Sequence, residues 1–230
     1  MNNDHILSTF DNDLNRLNKD LLKLAKLATE QFVNSIDNFS TQNIDDIDQL
    51  ISNDKNLDDL DEKIQQLGFE IIALRAPQAE DLRRVISALK ISTIFERIGD
   101  YSKNIARRSQ VIVSEENFDR LPVNIIGLGQ HVQDLLHKSL DAYMELNIDK
   151  AMNIWESDID TDRLYLSIFK EILSYMSENP DDVKMLTHLI FISKNLERVG
   201  DYTTSIAKQT YFLIEGTVPQ TKRPKAMTTF

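Results

Sequence analysis

Acidic side chains recur at helical spacing in the first part of the chain. Glu96 and Asp100 stand four residues apart, and so do Asp54 and Asp58. On a helix, residues four apart project from the same side, and two like charges there destabilise the helix unless something offsets their repulsion. Hydration of the carboxylates is the simpler way to offset this repulsion, and a bound cation is the alternative. The spacing therefore indicates either a solvated acidic face or a cation site.

The same arrangement returns in the second part of the chain. If the acid-bearing helices are neighbours, each half would bring four carboxylates together. An all-oxygen set of this kind suits hard cations such as Mg²⁺, Mn²⁺, Ca²⁺ or oxidised iron, and the absence of histidine from the motifs argues against zinc. The candidate metal ligands are Asp54, Asp58, Glu96, Asp100, Asp158, Asp162, Glu197 and Asp201.

Internal repetition extends beyond these acids. Residues 95–107 return as residues 196–208, with seven of the thirteen positions identical, and each copy contains Glu-Arg-x-Gly-Asp-Tyr. Chance does not produce such a match, so the chain arose by duplication of one unit. Candidate residues for positioning the ligands are Arg97, Asn104, Arg198 and Ser205. For the two arginines, an ion pair with a neighbouring acid is the simpler interpretation.

A glycine stands inside each copy of the motif. Gly99 and Gly200 would each cost a helix about 1 kcal/mol relative to alanine. Their repetition suggests that a side chain there would obstruct something. Close approach of a second helix is one explanation, and room for an ion beside the acids is the other.

The elements that must position these residues are helices. The chain has only six Gly and five Pro in 230 residues, too few turn-formers for a many-stranded sheet. Breakers at Pro77, Pro122 and Pro180 separate long helical stretches. Helices are expected at residues 9–38, 44–75, 78–113, 122–146, 149–178 and 181–214.

The predicted fold class is all-α, with two tandem three-helix bundles related by internal duplication. The domains are expected at residues 1–115 and 116–215, followed by a flexible tail at residues 216–230. Heptad spacing from Leu82 and Leu89 to Glu96, and from Val183 and Ile190 to Glu197, predicts that the acids continue a core-facing stripe.

An opposite stripe on the third helix is apolar throughout. Its residues are Ile91, Ile94, Phe95, Ile98 and Ile105. Two buried stripes on opposite sides predict that this helix is sandwiched between neighbours.

Composition excludes several classes of function. A net charge of −11 argues against direct nucleic-acid binding, because a duplex is itself a dense polyanion. The absence of cysteine removes disulfides and thiolate metal sites. No signal peptide and no apolar run of bilayer length is recognisable. A cytoplasmic protein is therefore expected, with cations or basic protein faces as its partners.

Three segments together resemble a known family. Glu-Arg-Ile-Gly-Asp-Tyr-x-x-Asn-Ile-Ala at 96–106, Glu-Arg-Val-Gly-Asp-Tyr at 197–202 and Pro-x-Ala-x-Asp-Leu-Arg at 77–83 are similar to signatures of the PhoU family. The opening at 5–17, with Phe10-Asp11-x-x-Leu14, is similar to the family's start. The resemblance covers about residues 5–215.

The resemblance implies a pair of three-helix bundles and a role as negative regulator of the phosphate-starvation response. It implies a non-catalytic, homodimeric adaptor between the ATPase subunit of the Pst phosphate ABC transporter and a PhoR-type sensor histidine kinase. Recruitment to the inner face of the membrane through these partners follows. Metal clusters occur in some members, which makes Mg, Mn or Fe the expected ions.

Departures from the family pattern make the two predicted sites unequal. Ser205 stands where the first copy has Asn104, and Asn179-Pro180 replaces the longer entry found at 77–83. These differences predict weaker metal binding in the second half.

Two alternatives to a metal-binding adaptor stay open on the residues. One is a Mg²⁺- or Mn²⁺-dependent helical nucleotide pyrophosphatase, and the other is a helical adaptor without metal. A di-iron oxidase is excluded, because it needs a histidine three residues after a glutamate and Gly99 and Gly200 stand there. No catalytic Ser-His-Asp set, cysteine nucleophile or glycine-rich phosphate loop is recognisable.

Overall fold

The protein is an assembly of six long α-helices in a computed structural model that describes residues 2–43, 45–113 and 124–220. No strand occurs among these residues, and none of their helices is long and apolar enough to span a bilayer. The helices are α1 (Asn2–Thr41), α2 (Ile47–Arg75), α3 (Ala79–Val113), α4 (Ile125–Met144), α5 (Ile148–Glu178) and α6 (Val183–Glu215).

The predicted helices correspond one to one with the observed helices, and most boundaries agree closely. The first helix begins at Asn2 rather than residue 9, because no glycine or proline interrupts the chain before that point. Pro180 opens a short 3-10 turn ahead of α6, since proline fits a first turn that needs no N–H donor. The predicted start of the fourth helix at Pro122 lies outside the described residues.

Asparagine side chains cap the starts of α4 and α5. Asn124 Oδ1 accepts from the backbone N–H of Gly127 at 2.9 Å, and Asn147 Oδ1 accepts from that of Lys150 at 3.0 Å. Each bond satisfies one of the N–H groups that a helix start leaves without an internal partner.

Helices α1–α3 form one unit and α4–α6 form the other. The two units pack side by side, with α3 against α6 and α1 against α4. One continuous cluster of buried apolar side chains runs through both units. Its members include Leu21, Leu57, Phe95, Val132, Ile172 and Leu196, one from each helix. The tandem bundles therefore share a core.

The apolar stripe predicted on α3 is buried as expected. Ile91, Phe95, Ile98 and Ile105 are fully inaccessible to solvent, and Ile94 is half-buried. The helix lies between α1, α2 and α6, which explains why it is apolar on more than one side.

The second predicted stripe, which leads to the acids, is only partly buried. Leu82 and Leu89 are only half-buried, and Val183 is 42% exposed. The glutamates at the end of this stripe, Glu96 and Glu197, retain 19% and 13% of their side-chain exposure. The stripe therefore faces the margin of the core, where Leu89 and Ile190 pack against the buried cluster, rather than its centre. The acids lie at the edge of the core.

Candidate functional site

Gly99 and Gly200 lie where α3 and α6 meet the preceding helix of their own unit. A Cβ on Gly99 would clash with Leu57 Cδ1 of α2, and a Cβ on Gly200 would lie 2.7 Å from Thr161 Cγ2 of α5. Both contacts are too short for real atoms. Close helix approach therefore accounts for the glycines, and it brings the acid-bearing faces of the two helices together.

Lys103 joins the two acidic pairs of the first half. Its Nζ donates to Asp54 Oδ2 on α2 and, at 2.8 Å, to Asp100 Oδ1 on α3. The side chains of Lys103 and Asp54 are only 18% and 9% exposed. Burial opposes the charged ammonium, but the hydrogen bonds to both carboxylates outweigh it and raise the pKa of Lys103. The Lys103 ammonium therefore keeps its positive charge inside the cluster.

Arg97 lies on the outer side of the same cluster. Its Nε is 3.4 Å from Glu96 Oε2, and its terminal nitrogen is 3.4 Å from Asp100 Oδ2. The prediction of an ion pair with neighbouring acids is confirmed. Because the Arg97 side chain is 54% exposed, these pairs contribute little to stability.

Two acids of the first half ionise less readily than usual. Desolvation raises the pKa of Glu96, where the opposing effect of Arg97 is the next largest influence. Desolvation and then the charge of Asp54 raise the pKa of Asp58, with Lys103 acting in the opposite direction. The charge of Asp100 on α3 contributes to raising the pKa of Asp58 on α2, and the charge of Asp58 contributes to raising that of Glu96, so acids of the two helices influence one another across the contact.

The gathered acids of the first half do not form an open metal site. A metal ion needs free carboxylate oxygens around one point, whereas Lys103 occupies the space between Asp54 and Asp100. Among the residues that the structure describes, no three His, Asp or Glu side chains are grouped so as to hold a metal. The residues of the first half as arranged do not fit the predicted ion, and metal binding by the second half stays a prediction.

The second half has a different set of positive charges. Lys194 Nζ lies 2.8 Å from Glu197 Oε2, close enough for an ion pair although not aligned as a hydrogen bond. Arg198 is 3.9 Å from both Glu197 and Asp201, which confirms the predicted ion pair with neighbouring acids. Thr204 stands at the position equivalent to Lys103, and its hydroxyl donates to the backbone oxygen of Asp201.

The opposing acids of the second half lie on α5, as predicted. Asp162 is half-buried there, whereas the side chain of Asp158 lies outside what the structure describes. Between them, Thr161 is buried and its Oγ1 is 3.2 Å from His131 Nε2 of α4. His131 therefore has a structural contact and lies outside the acidic motifs, as the sequence indicated.

Asn104 and its counterpart Ser205, which differ between the two copies of the motif, are both half-buried. Ser205 donates its hydroxyl hydrogen to the backbone oxygen of Asp201 at 3.1 Å, so its side chain bonds to its own helix. The predicted positioning roles of Asn104 and Ser205 stay predictions.

The two copies of the motif meet where α3 packs against α6. The rings of Tyr101 and Tyr202 have their centroids 6.0 Å apart and are inclined at 41°. Burial, and next the neighbouring Tyr101, raise the pKa of Tyr202. The tyrosine that ends each signature thus joins the two halves, and the acidic clusters flank one shared boundary.

Lys103 is the residue of this site that sequence reasoning missed. It lies inside the repeated segment, three residues after Asp100, and its counterpart Thr204 is uncharged. Comparison of the two copies at this position would have drawn attention to it. Spacing alone could not show that it reaches Asp54, which is 49 residues away in the chain.

Comparison with known families agrees with the repeat and the fold. The model of the PhoU domain matches residues 21–109 and again residues 125–210. The chain belongs to the PhoU family.

Curated relatives match along nearly the whole chain. A protein of Caulobacter vibrioides, named "Phosphate-specific transport system accessory protein PhoU homolog", is 34% identical over 222 residues, 96% of each chain. One of the same name from Zymomonas mobilis is 36% identical over 96% of this chain and 93% of its own. The crystal structure of PhoU from Pseudomonas aeruginosa superposes with a TM-score of 0.87 at 28% identity, covering 90% of this chain and all of that one.

Proposed function

We propose that this protein is an accessory regulator of a phosphate-specific transport system. The observation that carries the proposal is the match of both repeats to the PhoU domain, together with relatives of that name that align from end to end. The action expected is negative regulation of the phosphate-starvation response, without catalysis.

The proposed mode of action is that of an adaptor. One partner is the ATPase subunit of the Pst transporter, and the other is a PhoR-type sensor histidine kinase. When phosphate is plentiful, the adaptor would hold the kinase in its phosphatase-favouring state. The net charge of −11 supports basic faces on these partners, because charge complementarity speeds and orients association.

Assembly and location belong to the same proposal. The protein acts as a homodimer in the cytoplasm and reaches the inner face of the membrane through its partners. Long packed helices supply rigid surfaces for such contacts, and rigid surfaces lose little conformational entropy when they bind.

A reporter driven by a phosphate-starvation promoter tests the regulatory role. Removal of the protein should leave the reporter active at high phosphate, and re-expression of the full chain should restore repression. Unchanged repression in its absence would contradict the proposal.

Pull-down assays test the adaptor mechanism separately from regulation. The full chain should retain the transporter ATPase and the sensor kinase at low micromolar concentration. Absence of binding to both would contradict the adaptor mechanism. Hydrolysis of nucleotides by the purified protein with Mg²⁺ or Mn²⁺ would contradict the non-catalytic role.

A further inference from the structure

Lys103 occupies the position at which a cation would join the two acidic pairs of the first half. Its Nζ contacts a carboxylate oxygen on α2 and lies 2.8 Å from Asp100 Oδ1 on α3. The ammonium is largely sheltered from solvent, since the side chain is 18% exposed. One covalently attached charge thus bridges the two helices.

We propose that Lys103 is the built-in cation of the first half, and that it closes Asp54, Asp58, Glu96 and Asp100 to divalent metal ions in the native protein. The closed cluster holds α2 to α3 without a cofactor. This inference concerns metal binding by one half of the chain and stands independently of the proposed regulatory role.

Electrostatics and coordination chemistry both support this closure. A divalent ion placed between Asp54 and Asp100 would have to displace the ammonium or lie beside it, and like charges at such distances repel strongly when partly buried. Lysine has no acceptor atom, so Lys103 cannot become a ligand while it is protonated. Displacement would also leave the ammonium without its two partners in a sheltered place.

The duplication supplies an internal comparison. At the equivalent position of the second half, Thr204 is buried and uncharged, and its hydroxyl donates to the Asp201 backbone oxygen at 2.7 Å. That position therefore adds no positive charge to the second cluster. The two halves are therefore unequal because the first has Lys103 where the second has Thr204. The sequence predicted stronger metal binding in the first half, whereas in this proposal the first half is the one closed to metal.

Binding of Mn²⁺ to the purified full chain tests the proposal, with the metal alone as probe and electron paramagnetic resonance as the readout of free Mn²⁺. The variant Lys103→Met keeps the apolar stem and removes the charge. It should bind one more equivalent of Mn²⁺ than the wild type, and adding Asp100→Asn should abolish that gain. Lys194→Met is the matched control, because it removes a lysine from the second half and should create no site that depends on Asp100.

A second measurement uses the single variant Asp100→Asn and does not depend on the folding of the lysine variant. Asp100→Asn should bind the same amount of Mn²⁺ as the wild type. Loss of a bound equivalent in Asp100→Asn would overturn the proposal. A folded Lys103→Met variant that binds no more Mn²⁺ than the wild type would overturn it as well.

Discussion

Glu96 shows how the position of a single residue determines its ionisation. The carboxylate lies at the edge of the core, where desolvation outweighs the effect of Arg97 and raises its pKa. A carboxylate with a raised pKa in the folded state stabilises the fold when it is protonated. This contribution is fully present below the pKa of the unfolded state and is lost as the pH rises through the folded-state pKa.

Replacement of Glu96 by glutamine should therefore have a pH-dependent effect on stability. Relative to the wild type, Glu96→Gln should gain stability as the pH rises from about 4 to about 7. Over this range the wild type has to ionise the carboxyl group at position 96, whereas glutamine has no group to ionise. Urea unfolding of both proteins across this range measures the difference. Asp58→Asn should show the same sign but a smaller change, because Asp58 is exposed and solvent screens the charges that raise its pKa. A difference that does not change with pH would contradict this explanation.

At the scale of the elements, the spacing between α2 and α3 depends on Gly99. The glycine lets Leu57, which is 1% exposed, pack directly against the α3 backbone. The same approach brings Asp54 within reach of Lys103. Helix packing and the ion pairs of the cluster are therefore two results of one close contact.

Gly99→Ala should destabilise the protein even though alanine favours helix. The propensity gain of about 1 kcal/mol is opposed by overpacking against Leu57 of about 1–3 kcal/mol. In a Leu57→Ala background, which itself costs about 2–5 kcal/mol, the same substitution should be neutral or stabilising because the clash is gone. A double-mutant cycle of unfolding free energies measures this coupling. Stabilisation of the wild type by Gly99→Ala would refute the close-approach explanation.

At the scale of the whole molecule, the two repeats behave as one packed body. A single buried cluster includes residues of all six helices, and Tyr101 contacts Tyr202 across the boundary. Units that share a core lose contacts together when either one opens. Unfolding should therefore be cooperative across both repeats.

A cavity in the second repeat should consequently destabilise the first. Leu196 is fully buried on α6, and Leu196→Ala should cost about 2–5 kcal/mol. Hydrogen exchange read by mass spectrometry should show that α1–α3 lose protection together with α4–α6. Leu164→Ala, at a position 40% exposed, is the control and should change stability by about 0.5 kcal/mol or less. Loss of protection confined to α4–α6 would show that the repeats unfold independently.

Local features of this protein could be predicted from its sequence because they depend on neighbours in the chain. The six helices, the repeated Glu-Arg-x-Gly-Asp-Tyr segment and the pairing of Arg97 with adjacent acids all follow from spacing along one helix. Helical periodicity relates residues three or four apart, so each of these features is encoded by short-range spacing in the sequence.

Only the tertiary structure decided which helix faces meet. It placed α3 against α6 and left the acids at the edge of the core. It also brought Lys103 to Asp54, which is 49 residues distant in sequence. Such contacts depend on how apolar surfaces from the whole chain are buried together, and no short-range spacing encodes that. For this reason the sequence indicated a cluster of acids in each half, whereas the fold alone showed that a lysine fills the first.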